Sequence, residues 1–357
     1  MRLLRRVSSD EFTFEHNDSE GTPPYAILSH TWGSDAEEVT LDDVKGGTGK
    51  NKPGFDKVRF CSKQARTDGL HHFWIDTCCI DKTDQAELSH SIQSMFRWYR
   101  QAAQCYVYLS DVSTPCAQGQ GEVDASSWES AFHKSYWFTR GWTLQELLAP
   151  DLVEFFSREG MKLGDKMSLK HQIHRVTGIP KKVLEGAALS EFSVNEKLLW
   201  REGRRTKKEE DGAYSLLGIF DVYLAPVYGE GAAGAFRRLM DEINKLEKCI
   251  RDMHTTDPRR DKKRIEDTKG GLLKDSYCWI INNVDYLRWR HGSQSQLLWI
   301  TGDPGRGKTM LLCGIIDELQ NSVAKTDVVS YFFCQAADSR INSAVAVLGG
   351  LLYLLVS

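Results

Sequence analysis

The chain has 357 residues, a formal net charge of −3 and nine cysteines. This length suggests two or three domains, and the near-neutral charge gives no reason to expect a nucleic-acid or acidic-membrane partner. Residues 1–6 are basic, but no apolar signal-peptide core follows them. We therefore expect a cytoplasmic, reducing location with buried free cysteines and no disulfides. The apolar segment 344–356 is too short to span a membrane.

The first 160 residues alternate between short apolar runs and helical patterns. We predict strands at 25–30, 72–76, 105–109 and 152–156, and helices over 54–69, from Asp84 and over 142–149. Strands separated by helices are typical of βαβ units. The sequence therefore predicts an α/β fold with a parallel, doubly wound sheet.

Residues 161–250 have a helical pattern. The strongest helical segments are 195–200, 213–220 and 235–250. The charged run 204–211 lies between the first two and is predicted to be a solvated face. Residues 251–271 are dense in Asp, Lys and Arg and contain Pro258 and the pair Gly270-Gly271, a composition typical of a linker.

The run 302–309 reads GDPGRGKT and fits the P-loop pattern G-x-x-x-x-G-K-[ST]. A predicted strand at 296–301 precedes it and a predicted helix follows from 310. In such a loop backbone N–H groups converge on phosphate oxygens, a lysine lies near the terminal phosphates and a hydroxyl holds Mg²⁺. The predicted nucleotide-binding residues are Gly302, Asp303, Pro304, Gly305, Arg306, Gly307, Lys308 and Thr309, and Thr309 is the expected Mg²⁺ contact.

The P-loop lies close to the end of the sequence, because only 48 residues (357 − 309) follow Thr309. A P-loop domain also needs a strand that ends in an acidic residue to hold the metal. The predicted strand 327–334 has its acid before the apolar run, and the apolar helix predicted from 344 runs to the end of the chain. We therefore expect residues 272–357 to be a truncated nucleotide domain.

Ligands of open parallel sheets bind beyond the carboxyl ends of the strands. The polar residues that end the predicted strands are therefore candidates for a pocket. The alternative is that these groups only make turn hydrogen bonds. The candidates are Ser29, His30, Trp32, Asp76, Ser110 and Asp111.

Glu146 is a sharper candidate, because it lies in the predicted helix 142–149 but off the apolar stripe formed by Leu144, Leu147 and Leu148. A carboxylate at this position can lie at the mouth of the crevice. The alternatives are a salt bridge to Arg140 or a solvated side chain.

Three motifs identify a family. The runs YAILSHTWG (25–33), WIDTCCID (74–81) and RGWTLQEL (140–147) together resemble the fungal heterokaryon-incompatibility (HET) domain. The segment 213–220, followed by YGEG at 228–231, resembles the helical extension of such domains, and the P-loop segment resembles the start of a NACHT module. The chain thus resembles the N-terminal part of the HET–NACHT vegetative incompatibility proteins of the HET-E and HET-D type. The implied domains are a HET domain (1–160), a helical extension (161–250), a charged linker (251–271) and the beginning of a NACHT module (272–357).

This resemblance implies a non-self recognition protein of the NLR-like type. In the family, binding of ATP or GTP with Mg²⁺ drives self-association of the NACHT module. The clustered HET domains then trigger programmed cell death when incompatible fungal cells fuse. The implied partners are further copies of the chain and a non-self protein or ligand.

A second, shorter resemblance concerns the run WTLQEL at 142–147. It is similar to the W-C-L-x-E-L motif of plant TIR domains, with Thr143 in the position of the cysteine. The TIR motif lies on a helix of a flavodoxin-like sheet, and its glutamate cleaves NAD⁺. This similarity implies that Glu146 is the catalytic residue of a NAD⁺ glycohydrolase, with Ser29, Trp32 and Asp76 in its pocket. Signalling by protein assembly alone stays open as the alternative.

Overall fold

A computed structural model describes residues 1–8, 10–16, 21–114, 125–253, 257–292, 295–322, 327–335, 338 and 340–356; within these ranges the side chains of 16, 125–127, 249–253 and 356 are not described. The chain divides into two compact units, Met1–Ile243 and Asn244–Ser357. Among the described residues, no helix is both long enough and apolar enough to cross a membrane.

The first unit contains a seven-stranded sheet. Its strands lie in the order β2-β1-β4-β3-β5-β6-β7. The four central strands β4, β3, β5 and β6 are parallel, whereas β1 and β2 at one edge and β7 at the other are antiparallel to their neighbours. The strands are β1 (Arg2–Ser8), β2 (Glu11–His16), β3 (Tyr25–His30), β4 (His72–Trp74), β5 (Gln104–Tyr108), β6 (Val153–Phe156) and β7 (Lys162–Asp165).

The four predicted strands are confirmed, and they are the parallel ones. The prediction of an entirely parallel sheet was wrong, because the hairpin of β1 and β2 and the strand β7 add antiparallel edges. Strand β1 of the hairpin has no alternating pattern: Leu3 and Leu4 are adjacent in the sequence, yet both are fully buried. Pairing with β4 fixes β1 in place, and Glu15 of β2 accepts a hydrogen bond from Arg5 and contacts His72. Tertiary contacts therefore determine how β1 and β2 are placed at this edge of the sheet.

Helices separate the four parallel strands, and further helices follow β7. The first six are α1 (Leu41–Gly46), α2 (Phe55–Thr67), α3 (Asp76–Cys79), α4 (Gln85–Gln101), α5 (Ala125–His133) and α6 (Thr143–Leu148). The next six are α7 (Lys170–Thr177), α8 (Lys181–Leu184), α9 (Val194–Leu199), α10 (Asp211–Tyr214), α11 (Leu217–Phe220) and α12 (Gly231–Met253). The Asp84 side chain caps α4 by accepting from the N–H groups of Ala86 and Glu87, as its position before the apolar stripe predicts.

Helices cover both faces of the sheet. Side chains alternate between the faces along a strand, so Tyr25 and Ser29 of β3 point to one face and His30 points to the other. On the first face the Tyr25 hydroxyl donates to the backbone of α4, and Ser29 contacts α6. On the second face Phe60 of α2 packs against Tyr106, Tyr108 and Phe156, at ring-centroid distances of 6.4, 5.0 and 5.0 Å. The doubly wound arrangement is thus confirmed for the parallel strands.

The strand order changes direction at β3. The next strand in the chain, β4, lies on one side of β3, and β5 lies on the other. Crossover connections diverge at such a point and leave a crevice beyond the carboxyl ends of the strands. Ser29 and His30 end β3, and Asp76 follows β4, so the fold brings these three residues to the crevice.

The second unit is mostly helical. It contains a short 3₁₀ turn at Lys274–Ser276 and the helices α13 (Pro258–Thr268), α14 (Cys278–Ile281), α15 (Val284–His291), α16 (Lys308–Ser322) and α17 (Ala344–Val356). Helix α13 lies inside the charged segment 251–271. Its apolar residue Ile265 packs against Cys313, Ile316, Tyr331 and Phe333.

The strands predicted at 296–301 and 327–334 are not formed in the described residues. An extended segment becomes a strand only when a neighbour completes its hydrogen bonds, and these two segments do not pair. Trp299 is 77% exposed and Val328 is 63% exposed. The prediction of these two strands, which rested on apolar composition alone, was therefore wrong.

We predict that Gly218→Ala destabilises the first unit by about 1–3 kcal/mol. A Cβ atom on Gly218 lies 2.1 Å from Cβ of Phe96, so α11 and α4 must move apart. The measurement is the free energy of unfolding in urea. The control is Gly46→Ala, because a Cβ there meets only Thr48 at 3.7 Å. Equal stabilities of the two variants contradict the prediction.

Candidate functional site

A crevice of about 600 Å³ lies beyond the carboxyl ends of β3 and β4 in the first unit. His30, Trp32, Asp76 and Glu146 line it, so the fold brings four of the sequence candidates together. Ser29 is fully buried directly beneath, in contact with Glu146. The exposed residues Asp35, Lys82, Lys207 and Lys208 also line the crevice and form its rim.

Glu146 lies in α6 and is only 6% exposed. The Ser29 hydroxyl donates a hydrogen bond to Glu146 Oε2, and the indole N–H of Trp137 donates to the Ser29 oxygen at 2.7 Å. Trp137 is itself fully buried and packs edge-on against Phe155 of β6. Glu146 is therefore neither solvated nor paired with Arg140; a chain of buried hydrogen bonds fixes its carboxyl group at the floor of the crevice.

The environment of Glu146 changes its protonation. Burial raises the pKa of Glu146 from 4.5 to about 8, since a charged carboxylate loses its hydration there. The hydrogen bond from Ser29 acts in the opposite direction, whereas the negative charge of Asp76 raises the pKa further. Glu146 is thus mostly protonated at neutral pH and ionises in the mildly alkaline range. Shifted carboxyl pKa values of this kind are typical of functional sites.

A second polar cluster surrounds His30. Its Nε2 lies 3.7 Å from Glu38 Oε2, and its Nδ1 lies 3.9 Å from Asp76 Oδ1. Burial by itself raises the pKa of Glu38, but His30 and the ammonium group of Lys57 outweigh it and lower that pKa to about 2. Asp76 also accepts a hydrogen bond from the indole N–H of Trp32 at 2.8 Å. The floor of the crevice therefore carries two acidic groups, Glu38 and Asp76, on either side of one imidazole.

The side chains that follow β5 lie outside the crevice. Ser110 contacts Thr31 at 3.3 Å. Asp111 accepts hydrogen bonds from the Ser135 hydroxyl and from the N–H of Tyr136, at 2.8 and 2.7 Å. The inclusion of Ser110 and Asp111 among the pocket candidates was wrong. Their partners Thr31, Ser135 and Tyr136 lie far away in the sequence, so these contacts are not the local turn hydrogen bonds of the alternative either.

The helical extension supplies one wall of the crevice through Lys207, Lys208, Asp211 and Tyr228. Asp211 accepts from the Tyr228 hydroxyl at 2.9 Å and from the Trp142 indole at 3.3 Å. The prediction of a solvated face for 204–211 was wrong in part, since Arg204, Glu210 and Asp211 are buried. Sequence reasoning missed these residues because charge is ordinarily a mark of exposure.

The predicted P-loop lies in the second unit. Gly305 and Gly307 have φ angles of 83° and 80°, a left-handed conformation that favours glycine. Lys308 starts α16, and its ammonium group donates to the carbonyl oxygens of Gly302 at 2.5 Å and Asp303 at 2.8 Å. The backbone carbonyl groups of the predicted loop thus hold the ammonium group of Lys308.

We predict that Glu146→Gln becomes more stabilising as the pH rises. The neutral carboxyl group contributes stability fully below about pH 4.5, where the unfolded chain is also protonated, and this contribution is lost as the pH rises to about 8. Glutamine cannot ionise, so its advantage over the wild type grows by about 1.4 kcal/mol per pH unit in this window.

The measurement is the free energy of unfolding in urea at pH 5 and pH 8, with the exposed Glu202→Gln as a control for the loss of any carboxylate. A difference between Glu146→Gln and the wild type that does not change with pH contradicts the prediction.

Comparisons with known proteins agree with the motifs. The family model "Heterokaryon incompatibility protein (HET)" matches residues 25–125, and "Nephrocystin 3, N-terminal" matches residues 275–357. The chain is 57% identical over 358 residues to "Vegetative incompatibility protein HET-E-1" of Podospora anserina; the alignment covers 100% of this chain and 26% of the relative. The chain thus spans about a quarter of that relative's length. No solved structure matches significantly. The two family models and the identity along the whole chain together support a HET-E type of heterokaryon incompatibility protein.

Proposed function

We propose that the chain is the effector and switch part of an incompatibility protein whose HET domain triggers cell death. The observation that carries this proposal is the similarity along the whole chain to a protein named for vegetative incompatibility. The first unit, which contains the crevice, and the second unit, which contains the predicted P-loop, both lie within the aligned region.

Nucleotide binding is the proposed control. The positive φ angles of Gly305 and Gly307, and the position of Lys308 at the start of α16, support this proposal. ATP or GTP would be held there by backbone N–H groups and by Lys308, with the Thr309 hydroxyl on Mg²⁺. When bound, the nucleotide favours the assembled state over the monomer, which requires a difference in its affinity for the two states. Assembly then brings several HET domains together.

We predict that Lys308→Ala weakens nucleotide binding and therefore nucleotide-driven assembly. Loss of a hydrogen bond to a charged phosphate costs about 1.5–3 kcal/mol, which weakens triphosphate affinity by roughly 10- to 150-fold. The measurement is the molar mass by light scattering, with and without ATP or GTP and Mg²⁺, together with the nucleotide affinity.

Lys274→Ala is the matched control, because Lys274 is an exposed lysine of the same unit. The switch proposal fails if the wild type shows the same mass with and without nucleotide. It fails equally if Lys308→Ala binds and assembles like Lys274→Ala.

A second candidate function is favoured by the position of Glu146. The central strands lie in the chain order 2-1-3-4, the order of the first strands of a flavodoxin-like sheet. Glu146 lies on a helix at the switch point of this sheet, as the TIR-like motif implies. The lysines at the rim suit a diphosphate, and the acidic floor suits a cationic nicotinamide riboside. These features support a NAD⁺ glycohydrolase of the TIR-like type.

In the proposed reaction the bond between ribose C1′ and the pyridinium nitrogen breaks. Nicotinamide leaves with the bonding electron pair, and water adds to C1′ with loss of a proton, so that ADP-ribose is the other product. The carboxylate of Glu146 would stabilise the oxocarbenium-like ribosyl centre, as in glycoside hydrolysis. Ser29 orients that carboxylate, and Trp32 and Asp76 line the same space.

We predict that nicotinamide release depends on ionised Glu146. Because the pKa of Glu146 is raised to about 8, kcat/KM should increase with pH to a plateau above that value, since this ratio reports the free protein. Glu146→Gln should lower the rate by about 100-fold or more, through loss of a charge aimed at the transition state. The measurement is nicotinamide release from NAD⁺ by the assembled wild type and the variant.

Glu154→Gln is the control, because Glu154 lies on β6 outside the crevice and pairs with Lys162. Absence of nicotinamide release from the assembled wild type excludes the enzyme and leaves signalling by assembly alone. Equal release by Glu146→Gln and Glu154→Gln excludes the role of Glu146.

A further inference from the structure

Residues 204–206 attach the helical extension to the loop that precedes α6. The N–H of Arg205 donates to the carbonyl of Thr139 at 2.6 Å, and the N–H of Gly141 donates to the carbonyl of Arg205 at 2.9 Å. The two segments thus form a short parallel bridge. Gly141 makes the close approach feasible, since a Cβ atom at this position lies 2.4 Å from Thr206 Cγ2. The extension is therefore fitted to the backbone next to Glu146.

The side chain of Arg204 continues this attachment into α6. Its Nη1 donates to the Thr143 hydroxyl and to the carbonyl of Arg140, both at 2.9 Å. Its Nε donates to the carbonyl of Trp200 at 3.3 Å. Thr143 is the first residue of α6 and lies one helical turn before Glu146, so both residues lie on the same side of the helix. The guanidinium group thereby fixes the start of the helix that carries Glu146.

The Thr143 hydroxyl also contacts the carbonyl of Trp137 at 2.6 Å, and the Trp137 indole donates to Ser29, which donates to Glu146. Arg204 and Glu146 are thus the two ends of one buried network. Such networks couple their members because the low dielectric strengthens each contact.

Arg204 is only 7% exposed, and its Nη2 has no hydrogen-bond partner among the described residues. A buried guanidinium group with an unused donor is costly unless a negative charge compensates it. The charge of Glu146 acts on Arg204, and the charge of Arg204 acts on Glu146. The charged or titratable groups that face Glu146 are Asp76, Tyr99, Cys105, Arg140 and Arg204. Of the two cations in this set, Arg204 is buried and Arg140 is half-buried.

We propose that Arg204 is a positioning residue of the crevice: it fixes the first turn of α6 through Thr143 and Arg140, and it is the buried cation of the hydrogen-bond network that ends at Glu146. The site therefore includes residues of the helical extension and is incomplete in a HET domain that ends near residue 160. The catalytic consequence rests on the proposed NAD⁺ cleavage, whereas the effect on Glu146 does not.

The test uses the full chain and titrates the Glu146 carboxyl group by ¹³C NMR, with Glu146→Gln to assign its signal. Arg204→Gln removes the charge, and Arg204→Met is a second charge-free variant that fills the volume with apolar atoms. Arg204→Lys keeps the charge without the planar fork. Arg201→Gln is the matched control, because its guanidinium lies over the Phe236 ring, 4.6 Å from the centroid.

The proposal expects the charge-free variants at Arg204 to raise the pKa of Glu146 by about one unit, while Arg204→Lys and Arg201→Gln leave it at the wild-type value. A folded charge-free variant with an unchanged pKa overturns the proposal. So does a failure of both charge-free variants to fold while Arg201→Gln folds, because Arg204 is then a purely structural residue.

A second readout separates this inference from the proposed function. If the wild type releases nicotinamide, the charge-free variants should shift the pH profile of kcat/KM upward by the same one unit, and Arg204→Lys should lower kcat without moving the profile. A profile that does not move in the charge-free variants overturns the positioning role. If the wild type releases no nicotinamide, the enzyme proposal fails and the NMR titration alone decides the role of Arg204.

Discussion

The crevice depends on one buried interaction, the hydrogen bond from Ser29 to Glu146. It joins the end of β3 to α6, and Trp137 completes it from the other side. A carboxyl group in this position is stable chiefly in its protonated form, because burial outweighs the stabilising hydrogen bond. Removing a carboxyl group from water costs free energy, so its retention at the floor of a crevice is more typical of function than of packing.

Two polar systems meet at the carboxyl end of β3 because side chains alternate along a strand. Ser29 points toward α6 and Glu146, whereas the next residue, His30, points toward α2 and its Lys57–Glu38 pair. Asp76, which follows β4, lies close to both systems. The reversal of strand order at β3 creates the space between them. Asp76 and Glu146 lie far in the sequence from Ser29 and His30, so only the fold brings the members of the two systems together.

The helical extension is a structural part of this arrangement. Its residues 204–211 cover one side of the crevice and bury Arg204 against the start of α6. The predicted P-loop, in contrast, lies in a separate compact unit of the chain. The proposed effector site and the proposed nucleotide control thus lie in different units, and assembly is the physical step that would relate them.

The sequence by itself determined the local elements and the family. Apolar runs predicted the four parallel strands, Asp84 predicted a helix start, and three motifs predicted the HET relationship that the 57% identity supports. These features depend on neighbouring residues or on direct similarity. Only the tertiary structure decided the antiparallel edges, the burial of Arg204 and Asp211, and the exclusion of Ser110 and Asp111 from the crevice. A charged side chain has the same local pattern whether water or a distant carbonyl group solvates it, so contacts between residues far apart in the chain determine which of them form the site.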